Sequence, residues 1–468
     1  MSALHLEAAT ALAARVRAGE TSAAEIARAA IARIRARDRE VNAFTEITEA
    51  RAMADAAAVD AQVAAGADPG PLAGVPFAAK NIFDIKGVVT LAGSIIEKRR
   101  APATADAFCV AQMKRAGAVC VGALNMDEYA YGFTTENHHY GPCRNPHDTA
   151  RIAGGSSGGS GASVAAGLVP VSLGTDTNGS IRVPSSLNGI FGVKPTYGNL
   201  ARAGGIMFVP SLDHIGPFAR SVADLAAAYD ALLGQDPADP AQARRDPAPV
   251  SGGLEAGIAG LRIARLGGHF ARHGLPAAQG AADAVARGLG ASATVELPDA
   301  AAARAAAFLI TASEGANQHL DDLRTRAEDF EPLTQNRLLA GALLPAQWVI
   351  HAQRLRALFR DQAAALFADW DVLIAPATPT AATPIGQEML EADGATVPLR
   401  PNMGVYTQPI SCIGLPVLAV PVQNADGALP IGVQLIAAPW NETALFRAAR
   451  HLEREGVCAA PVAPAFTG

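Results

Sequence analysis

The pattern of apolar and polar positions divides the chain into an Ala-rich helical start and a core of short buried strands. Over residues 5–65 apolar side chains recur with a helical period, and Arg and Glu fill most of the remaining positions. Ser22 followed by Glu25 has the spacing of a capping box, so a helix is predicted to begin there. Gly and Pro at 66–71 end the helical pattern, and we expect the core to begin after them.

Uninterrupted apolar runs predict the first strands of that core. Residues 71–80 and 119–124 have the composition of strands buried on both faces, and a helical segment at 106–116 lies between them. Such a strand–helix–strand unit is typical of a parallel sheet. A loop is predicted at 141–151 and a helix at 221–233.

The second half of the chain is expected to extend the same sheet. A stretch rich in Pro, Asp, Ala and Gly at 234–260 predicts an exposed connection. Beyond it we predict strands at 261–266, 293–297, 371–376, 417–422 and 431–436, and helices at 276–290, 299–326 and 344–368. The fold class is therefore α/β. A single domain over 1–468 is expected, with a helical segment at about 1–65, a core at about 71–233 and a completing part at about 261–468.

Composition narrows the class of protein. Half of the residues are apolar and 18% are charged, which allows a large core, and the net charge of −6 argues against a general nucleic-acid-binding surface. The five cysteines are scattered and form no C-x-x-C pair, a pattern typical of reduced thiols in the cytoplasm. The N-terminus lacks the features of a signal peptide. The uncharged run at 152–175 contains too many glycines and serines, and Pro170, to predict a membrane span.

Candidate chemistry is concentrated in two Gly/Ser stretches and one lysine. Residues 154–161 alone would suit a flexible linker, but they lead directly into an apolar run at 164–173 that requires burial. Ser156 and Ser180 lie in the two stretches, and Lys80 ends an apolar strand. A serine hydroxyl needs a base to become a nucleophile, and a lysine serves as that base only when burial lowers its pKa.

The residues around Ser180 complete the candidate site. The main-chain N–H groups of Thr177, Asn178 and Gly179 are candidates for an oxyanion hole. Asp176 and Arg182 flank the nucleophile, and a structural ion pair that braces the loop is the favoured interpretation of these two charges.

Several separated stretches resemble the amidase signature family, and the resemblance covers nearly the whole chain. They are 123–132 (ALNMDEYAYG), 154–160 (GGSSGGS), 189–198 (GIFGVKPTYG) and 408–416 (QPISCIGLP). The resemblance implies a large mixed, mainly parallel β-sheet covered by helices on both faces. It also implies a catalytic triad in which Ser180 is the nucleophile, Ser156 is the relay on a cis peptide after Gly155, and Lys80 is the terminal base.

Other chemistries fit the sequence less well. His138 and His139 are adjacent and have no third ligand at a metal spacing, so we expect loop or substrate contacts and no metal. The glycine-rich stretches lack the Gly-Lys-Ser/Thr sequence of a phosphate-binding loop, so they give little support to phosphate binding. No cofactor is expected. The nucleophile elbow of α/β-hydrolases requires a different spacing. A catalytically dead scaffold would lack a triad residue, and all three are present.

Two branches of the family compete for the substrate. One hydrolyses small carboxylated ureides such as 1-carboxybiuret, releases ammonia and implies a small C-subunit-like partner and an oligomer. The other comprises the glutaminase A subunits of tRNA-dependent amidotransferases. The amino-acid sequences of three separate stretches resemble the first branch. Asn178 stands where proteins of the second branch usually carry Gly. A carboxylated substrate requires a cationic side chain to pair with its carboxylate, and Arg182 and Arg400 are candidates for that role. Tyr131 is a candidate pocket residue.

Overall fold

The computed structural model describes residues 4–423 and 429–468. Residues 1–3, which belong to the N-terminus assessed for a signal peptide, lie outside the described residues, as do 424–428. An eleven-stranded mixed sheet flanked by helices forms the centre of the molecule, in agreement with the α/β class predicted from sequence. Among the described residues, no helix has both the length and the apolar character needed to span a membrane.

The strands are short, and most of those in the large sheet are wholly buried. In chain order they are β1 (Phe44–Ile47), β2 (Pro76–Lys80), β3 (Val119–Leu124), β4 (Glu136–Asn137), β5 (Gly141–Pro142), β6 (Arg144–Asn145), β7 (Asp148–Ile152), β8 (Val171–Asp176), β9 (Phe191–Lys194), β10 (His214–Ala219), β11 (Ile263–Leu266), β12 (Ala293–Val295), β13 (Val372–Pro376), β14 (Met389–Ala392), β15 (Ala395–Pro398), β16 (Val417–Val422) and β17 (Ile431–Ala437). The large sheet has the order β1-β3-β2-β8-β10-β9-β16-β17-β13-β11-β12.

The α-helices connect these strands and cover the sheet. They are α1 (Ala9–Arg17), α2 (Ala23–Val41), α3 (Glu49–Ala64), α4 (Phe108–Arg115), α5 (Gly158–Ala165), α6 (Arg182–Asn188), α7 (Val222–Leu232), α8 (Pro276–Gly288), α9 (Ala300–Gln318), α10 (Leu320–Thr325), α11 (Pro332–Ala342), α12 (Ala346–Leu366), α13 (Leu399–Asn402), α14 (Gln408–Cys412) and α15 (Glu442–Arg454). Half of the predicted capping box at α2 is present, because Ser22 Oγ accepts a hydrogen bond from the main-chain N–H of Glu25 at 3.0 Å. The Glu25 carboxylate accepts instead from Thr21 Oγ1 at 2.9 Å.

The expectation of a mainly parallel sheet is wrong. Within the described residues, six of its ten neighbouring pairs are antiparallel, and the parallel pairs are β2–β3, β2–β8, β11–β12 and β11–β13. Parallel pairing requires a long crossover, which helices such as α4, α5 and α8 supply towards the two ends of the sheet. In the middle, β10 is antiparallel to both β8 and β9, and β16 and β17 form an antiparallel pair across a short connection.

Two local predictions also differ from the structure. The helical segment expected at 5–65 is interrupted by β1, which pairs antiparallel with β3 after Asn42 ends α2 in the left-handed conformation. The loop expected at 141–151 contains β5, β6 and β7, which form small two-stranded sheets. These elements are short, so pairing with a neighbour decides them more than their own composition.

Candidate active site

The site lies where two parallel strands of the sheet end. Lys80 is the last residue of β2 and Asp176 is the last residue of β8, and these strands are neighbours in parallel register. The carboxyl ends of parallel strands meet at one edge of a sheet, which is where α/β folds place their ligands. The loops that carry Ser156 and Ser180 also reach this edge, because they connect to β8 and to the helices α5 and α6.

Lys80 is brought into direct contact with Ser156. The Lys80 ammonium nitrogen donates to Ser156 Oγ at 2.7 Å and to Thr175 Oγ1 at 2.7 Å. The side chain of Lys80 is 0% exposed. Thr175, the second partner, was not identified from sequence, because only the register of β2 against β8 places it there.

Burial gives this lysine the acidity that base catalysis requires. Desolvation lowers the pKa of Lys80 from 10.5 to about 7, although the carboxylates of Asp127, Asp213 and Asp176 act in the opposite direction. A free lysine would be fully protonated at neutral pH. Lys80 therefore has a substantial neutral fraction near pH 7 and is able to accept a proton from Ser156.

Glycines shape the two serine loops. The peptide bond between Gly155 and Ser156 is cis, as the family resemblance implies. Gly179 has a φ of +138°, and a Cβ atom at that position would lie 2.2 Å from Thr407 Oγ1. The same Thr407 hydroxyl donates to the main-chain oxygen of Asn178 at 2.6 Å. Only glycine therefore allows the chain before Ser180 to lie this close to α14.

Ser180 lies on the wall of a narrow pocket. This pocket has about 20 Å³ of space for the centres of water-sized molecules, and Ser180 is 2% exposed. Its lining residues are mostly small or aromatic: Ala130, Tyr131, Gly132, Phe133, Thr177, Asn178, Ser180, Phe208, Phe308, Thr311, Arg337 and Gln408. The predicted pocket residue Tyr131 is among them. A space of this size holds little more than a water molecule, so its walls must move apart to admit a substrate.

Arg337 is the charged residue of this pocket, and sequence reasoning missed it. It lies on α11, and its Nη1 donates to the main-chain oxygen of Tyr131 at 2.7 Å. Its guanidinium carbon lies 3.5 Å from the centroid of the Tyr131 ring, a cation–π contact that fixes its plane. Burial is the largest influence on the pKa of Arg337 and lowers it. The sequence around Arg337 forms no motif, so only folding reveals its position.

The candidate oxyanion hole needs one correction. The main-chain N–H of Gly179 donates to Asp176 Oδ1 at 2.8 Å and is therefore already engaged. The carboxylate of Asp176 also accepts from the N–H of Ile181 at 3.1 Å. Thr177 and Asn178, which both line the pocket, remain candidates for the donors.

Arg182 does not bind the substrate, contrary to one of the two roles considered for it. The residue is 0% exposed, and Nε and Nη2 donate to the two oxygens of Asp176, each at 2.9 Å. Its remaining N–H groups donate to the main-chain oxygen of Thr407, to Gln434 Oε1 and to Ser411 Oγ. All five donors are thus satisfied. Burial opposes ionisation of Asp176, but the Arg182 ion pair outweighs it and holds the pKa of that carboxyl well below its usual range.

Arg400, the other cation considered, lies behind the pocket wall. It forms ion pairs with Asp127 at 3.0 Å and with Glu331 at 3.5 Å. A Cβ atom on the lining residue Gly132 would lie 2.7 Å from Arg400 Nη2. Two carboxylates therefore neutralise Arg400, whereas Arg337 is presented to the pocket itself.

His139, Tyr129 and Lys194 form hydrogen bonds with residues that do not line this pocket. His139 Nε2 is 3.1 Å from Glu128 Oε1, and the Tyr129 hydroxyl donates to Glu97. Lys194 donates to the main-chain oxygen of Pro195 at 3.1 Å and to His214 Nε2 at 3.1 Å. Burial lowers the pKa of both Lys194 and His214 well below their usual values.

Comparison with known proteins connects this geometry to a family. The sequence profile described as "Amidase" matches residues 25–446. The chain is 56% identical to AtzE of Pseudomonas sp. (strain ADP), a 1-carboxybiuret hydrolase subunit, over 94% of this chain and 97% of that protein. It is 40% identical to the A subunit of the glutamyl-tRNA(Gln) amidotransferase of Anaeromyxobacter sp. (strain K), over 96% of each. A solved inhibitor-bound structure, described as a vestigial protein complex that reveals the origins of an s-triazine catabolic enzyme, superimposes with a TM-score of 0.96 and 54% identity, covering 97% of this chain and 100% of that one.

Proposed function

The chain belongs to the amidase family and is a hydrolase of amide carbon–nitrogen bonds, and from that premise we propose that it cleaves a small carboxylated ureide such as 1-carboxybiuret and releases ammonia. One observation carries the proposed chemistry, which is the 2.7 Å hydrogen bond between a buried lysine of lowered pKa and Ser156. A lysine that serves only as a cation would gain nothing from a pKa near neutrality.

The proposed mechanism proceeds through an acyl-enzyme. Ser180 Oγ attacks the carbonyl carbon while its proton passes through Ser156 to Lys80. The N–H groups of Thr177 and Asn178 donate to the oxyanion of the tetrahedral intermediate. The proton returns through Ser156 to the leaving nitrogen, the carbon–nitrogen bond breaks and ammonia departs. Water then attacks the acyl carbon while its proton passes to Lys80, and the ester bond to Ser180 Oγ breaks as Lys80 returns the proton through Ser156 to that oxygen.

Two features support the carboxylated ureide as substrate. The relative that is 56% identical belongs to a 1-carboxybiuret hydrolase. Arg337 supplies a guanidinium at the pocket, a group suited to bind a carboxylate through two parallel hydrogen bonds. The contact with Tyr131 holds that guanidinium in place before the substrate arrives.

The proposal extends to assembly and location. The same relative is described as one subunit of its enzyme, and the inhibitor-bound neighbour as a protein complex. These descriptions support a partner or an oligomer for this chain, and we propose that the partner is a small C-subunit-like protein. A cytoplasmic location is supported by its five cysteines, which are unpaired and buried. The proposed reaction requires no cofactor.

Glutamine hydrolysis within a tRNA-dependent amidotransferase is the second candidate. The 40% identity to an amidotransferase protein over nearly the whole chain favours it. Glutamine also presents a carboxylate and a primary amide, so the character of the pocket alone does not separate the two substrates.

Ammonia release tests the two candidates. It is measured with 1-carboxybiuret and with glutamine, each with and without the candidate small partner, and with charged tRNA plus the amidotransferase B subunit. We expect ureide hydrolysis that is independent of tRNA. Glutaminase activity that responds to tRNA plus the B subunit would overturn the substrate assignment.

Ser180→Ala is expected to lower turnover by orders of magnitude while the protein remains folded. The matched control is Ser163→Ala, which removes a buried hydroxyl that donates to the Ser160 main-chain oxygen. Near-normal turnover by Ser180→Ala, with contaminating amidase excluded, would refute the assignment of the nucleophile.

A further inference from the structure

The side chain of Asn178 contains an unpaired polar atom next to the nucleophile. Asn178 lines the pocket together with Ser180 and is 8% exposed. Its Nδ2 donates to Thr311 Oγ1 on α9 at 2.8 Å, and this contact holds the amide plane. Its Oδ1 is buried and has no hydrogen-bond partner within the described residues.

A buried carbonyl oxygen without a hydrogen-bond partner lowers the stability of the folded protein. Nearly all buried polar atoms in folded proteins are hydrogen-bonded, and leaving one unpaired destabilises the protein. A polar atom left unpaired in the wall of a binding pocket is satisfied when a ligand supplies the missing donor. Asn178 Oδ1 is therefore free to accept a hydrogen bond from an N–H or O–H group on a ligand.

The hydroxyls of Thr177, Ser180 and Thr311 at this pocket both donate and accept, whereas other groups there only donate. Arg337 and the main-chain N–H groups proposed for the oxyanion hole are donors. The carbonyl oxygen of Gln408 is occupied, since Gln408 Oε1 accepts from Arg304 Nε at 2.8 Å. Asn178 Oδ1 thus adds an unpaired carbonyl acceptor to a pocket whose guanidinium and main-chain N–H groups suit carbonyl and carboxylate oxygens.

We propose that Asn178 Oδ1 accepts a hydrogen bond from the N–H group attached to the scissile carbonyl of a ureide, on the side opposite the leaving nitrogen. This inference rests on the proposed function and makes Asn178 a specificity-determining residue. A ureide has N–H at that position, whereas a simple amide such as glutamine has a methylene group. A methylene would leave the acceptor unpaired, and a site built around a polar contact discriminates strongly against the analogue that lacks it.

The test compares two ligands that differ only at this atom. N-carbamoylglycine and succinamate have the same length, a terminal amide and a carboxylate, and differ by one N–H in place of a methylene. Their dissociation constants are measured calorimetrically for Ser180→Ala, which binds without turnover, and for Ser180→Ala combined with Asn178→Leu. Leucine has nearly the shape of asparagine and no acceptor. We expect Ser180→Ala to prefer the ureide by about tenfold or more, and Asn178→Leu to lower that preference by about ten- to a hundredfold.

A control and three outcomes complete the test. Thr311→Val frees the amide without removing its oxygen, so we expect it to lower the preference less than Asn178→Leu does. Equal weakening of both ligands by Asn178→Leu would overturn the inference and leave the proposed function intact, as would binding of both ligands without preference to Ser180→Ala. Failure of N-carbamoylglycine to bind Ser180→Ala would refute the carboxylated-ureide class and the inference with it.

Discussion

At the residue scale, burial of Lys80 lowers the stability of the folded protein and makes the amine reactive. A buried lysine whose pKa falls from 10.5 to about 7 costs the folded state about 5 kcal/mol relative to an exposed one. Hydrogen bonds to Ser156 and Thr175 recover part of that cost, at about 1 kcal/mol each. The benefit is a neutral amine at physiological pH, and an arginine at this position could not provide a base.

The pH dependence of turnover follows from the pKa of Lys80. Only the neutral amine accepts a proton, so kcat/KM is expected to rise with pH and to level off above about 7. Below that pH the rate should fall about tenfold per pH unit. Ammonia release measured from pH 5 to 9 checks this, and a flat profile would remove Lys80 from the role of base.

Lys80→Met is expected to abolish turnover yet stabilise the protein by about 3 kcal/mol near pH 7. The substitution removes the cost of burying the amine, about 5 kcal/mol, and loses two hydrogen bonds of about 1 kcal/mol each. The sign follows from the two pKa values. Between pH 7 and 10.5 the lysine is protonated in the unfolded chain and neutral in the folded one, so the wild type gains stability as pH rises. Urea unfolding at pH 6.5 and 9.5 should therefore show the advantage of Lys80→Met shrinking at the higher pH. An advantage that grows with pH would contradict the lowered pKa.

Arg337→Met is expected to raise KM for a carboxylated ureide by about ten- to a hundredfold, because a charge-assisted pair to the carboxylate is lost. Biuret, which lacks the carboxylate, is the matched substrate. Its KM should change much less. Similar losses for both substrates would mean that Arg337 shapes the pocket without recognising charge.

At the element scale, Asp176 organises the turn between β8 and α6. Its two oxygens bind the N–H groups of Gly179 and Ile181 and the guanidinium of Arg182. His214 on β10 adds a further restraint, since its Nδ1–H donates to the main-chain oxygen of Asp176 at 3.1 Å. In a trans peptide the C=O and N–H groups point in opposite directions, so this bond also orients the N–H of Thr177. The loop that carries Ser180 is therefore held by contacts with several strands and helices.

Breaking the Asp176–Arg182 pair tests this arrangement. Arg182→Met should lower the free energy of unfolding by about 3–5 kcal/mol, because it leaves a buried carboxylate without its partner. The double variant Asp176→Asn with Arg182→Met removes both charges and should lose less than the sum of the single variants. Chemical denaturation of the four proteins provides the cycle. Additive losses would show that the two charges do not depend on each other.

At the scale of the whole molecule, one ladder joins the two halves of the chain. β9 from the first half pairs with β16 from the second, and β16 continues to β17 and β13. The residues that line the pocket likewise come from both halves, from Ala130 to Gln408. This continuity supports our proposal of a single domain over 1–468.

A single domain should unfold in one cooperative transition. The three tryptophans, Trp348, Trp370 and Trp440, all lie in the second half, so their fluorescence reports on that half. Far-ultraviolet circular dichroism reports on helices throughout the chain. We expect the two denaturation curves to coincide. Separate midpoints would indicate two units that unfold independently.

Local features of the site could be predicted from the sequence alone. A lysine that ends an apolar strand, and two serines in glycine-rich stretches, identified Lys80, Ser156 and Ser180 as candidate site residues, and the family resemblance implied their roles as a triad. The strands β3 and β16 lie at the residues predicted, because a run of six apolar residues favours a buried strand in almost any context. These signals depend on residues close together in the chain.

Only the tertiary structure decided which strands pair, in which direction, and which charges meet. The antiparallel centre of the sheet, the short strand β1 and the engagement of Arg182 with Asp176 all depend on contacts between distant segments. Arg337 reaches the pocket because α11 packs against it, although no local motif singles it out. Composition and periodicity describe a residue's neighbours along the chain. The free energy of an ion pair or a strand pairing depends instead on neighbours in space, which exist only once the core has formed.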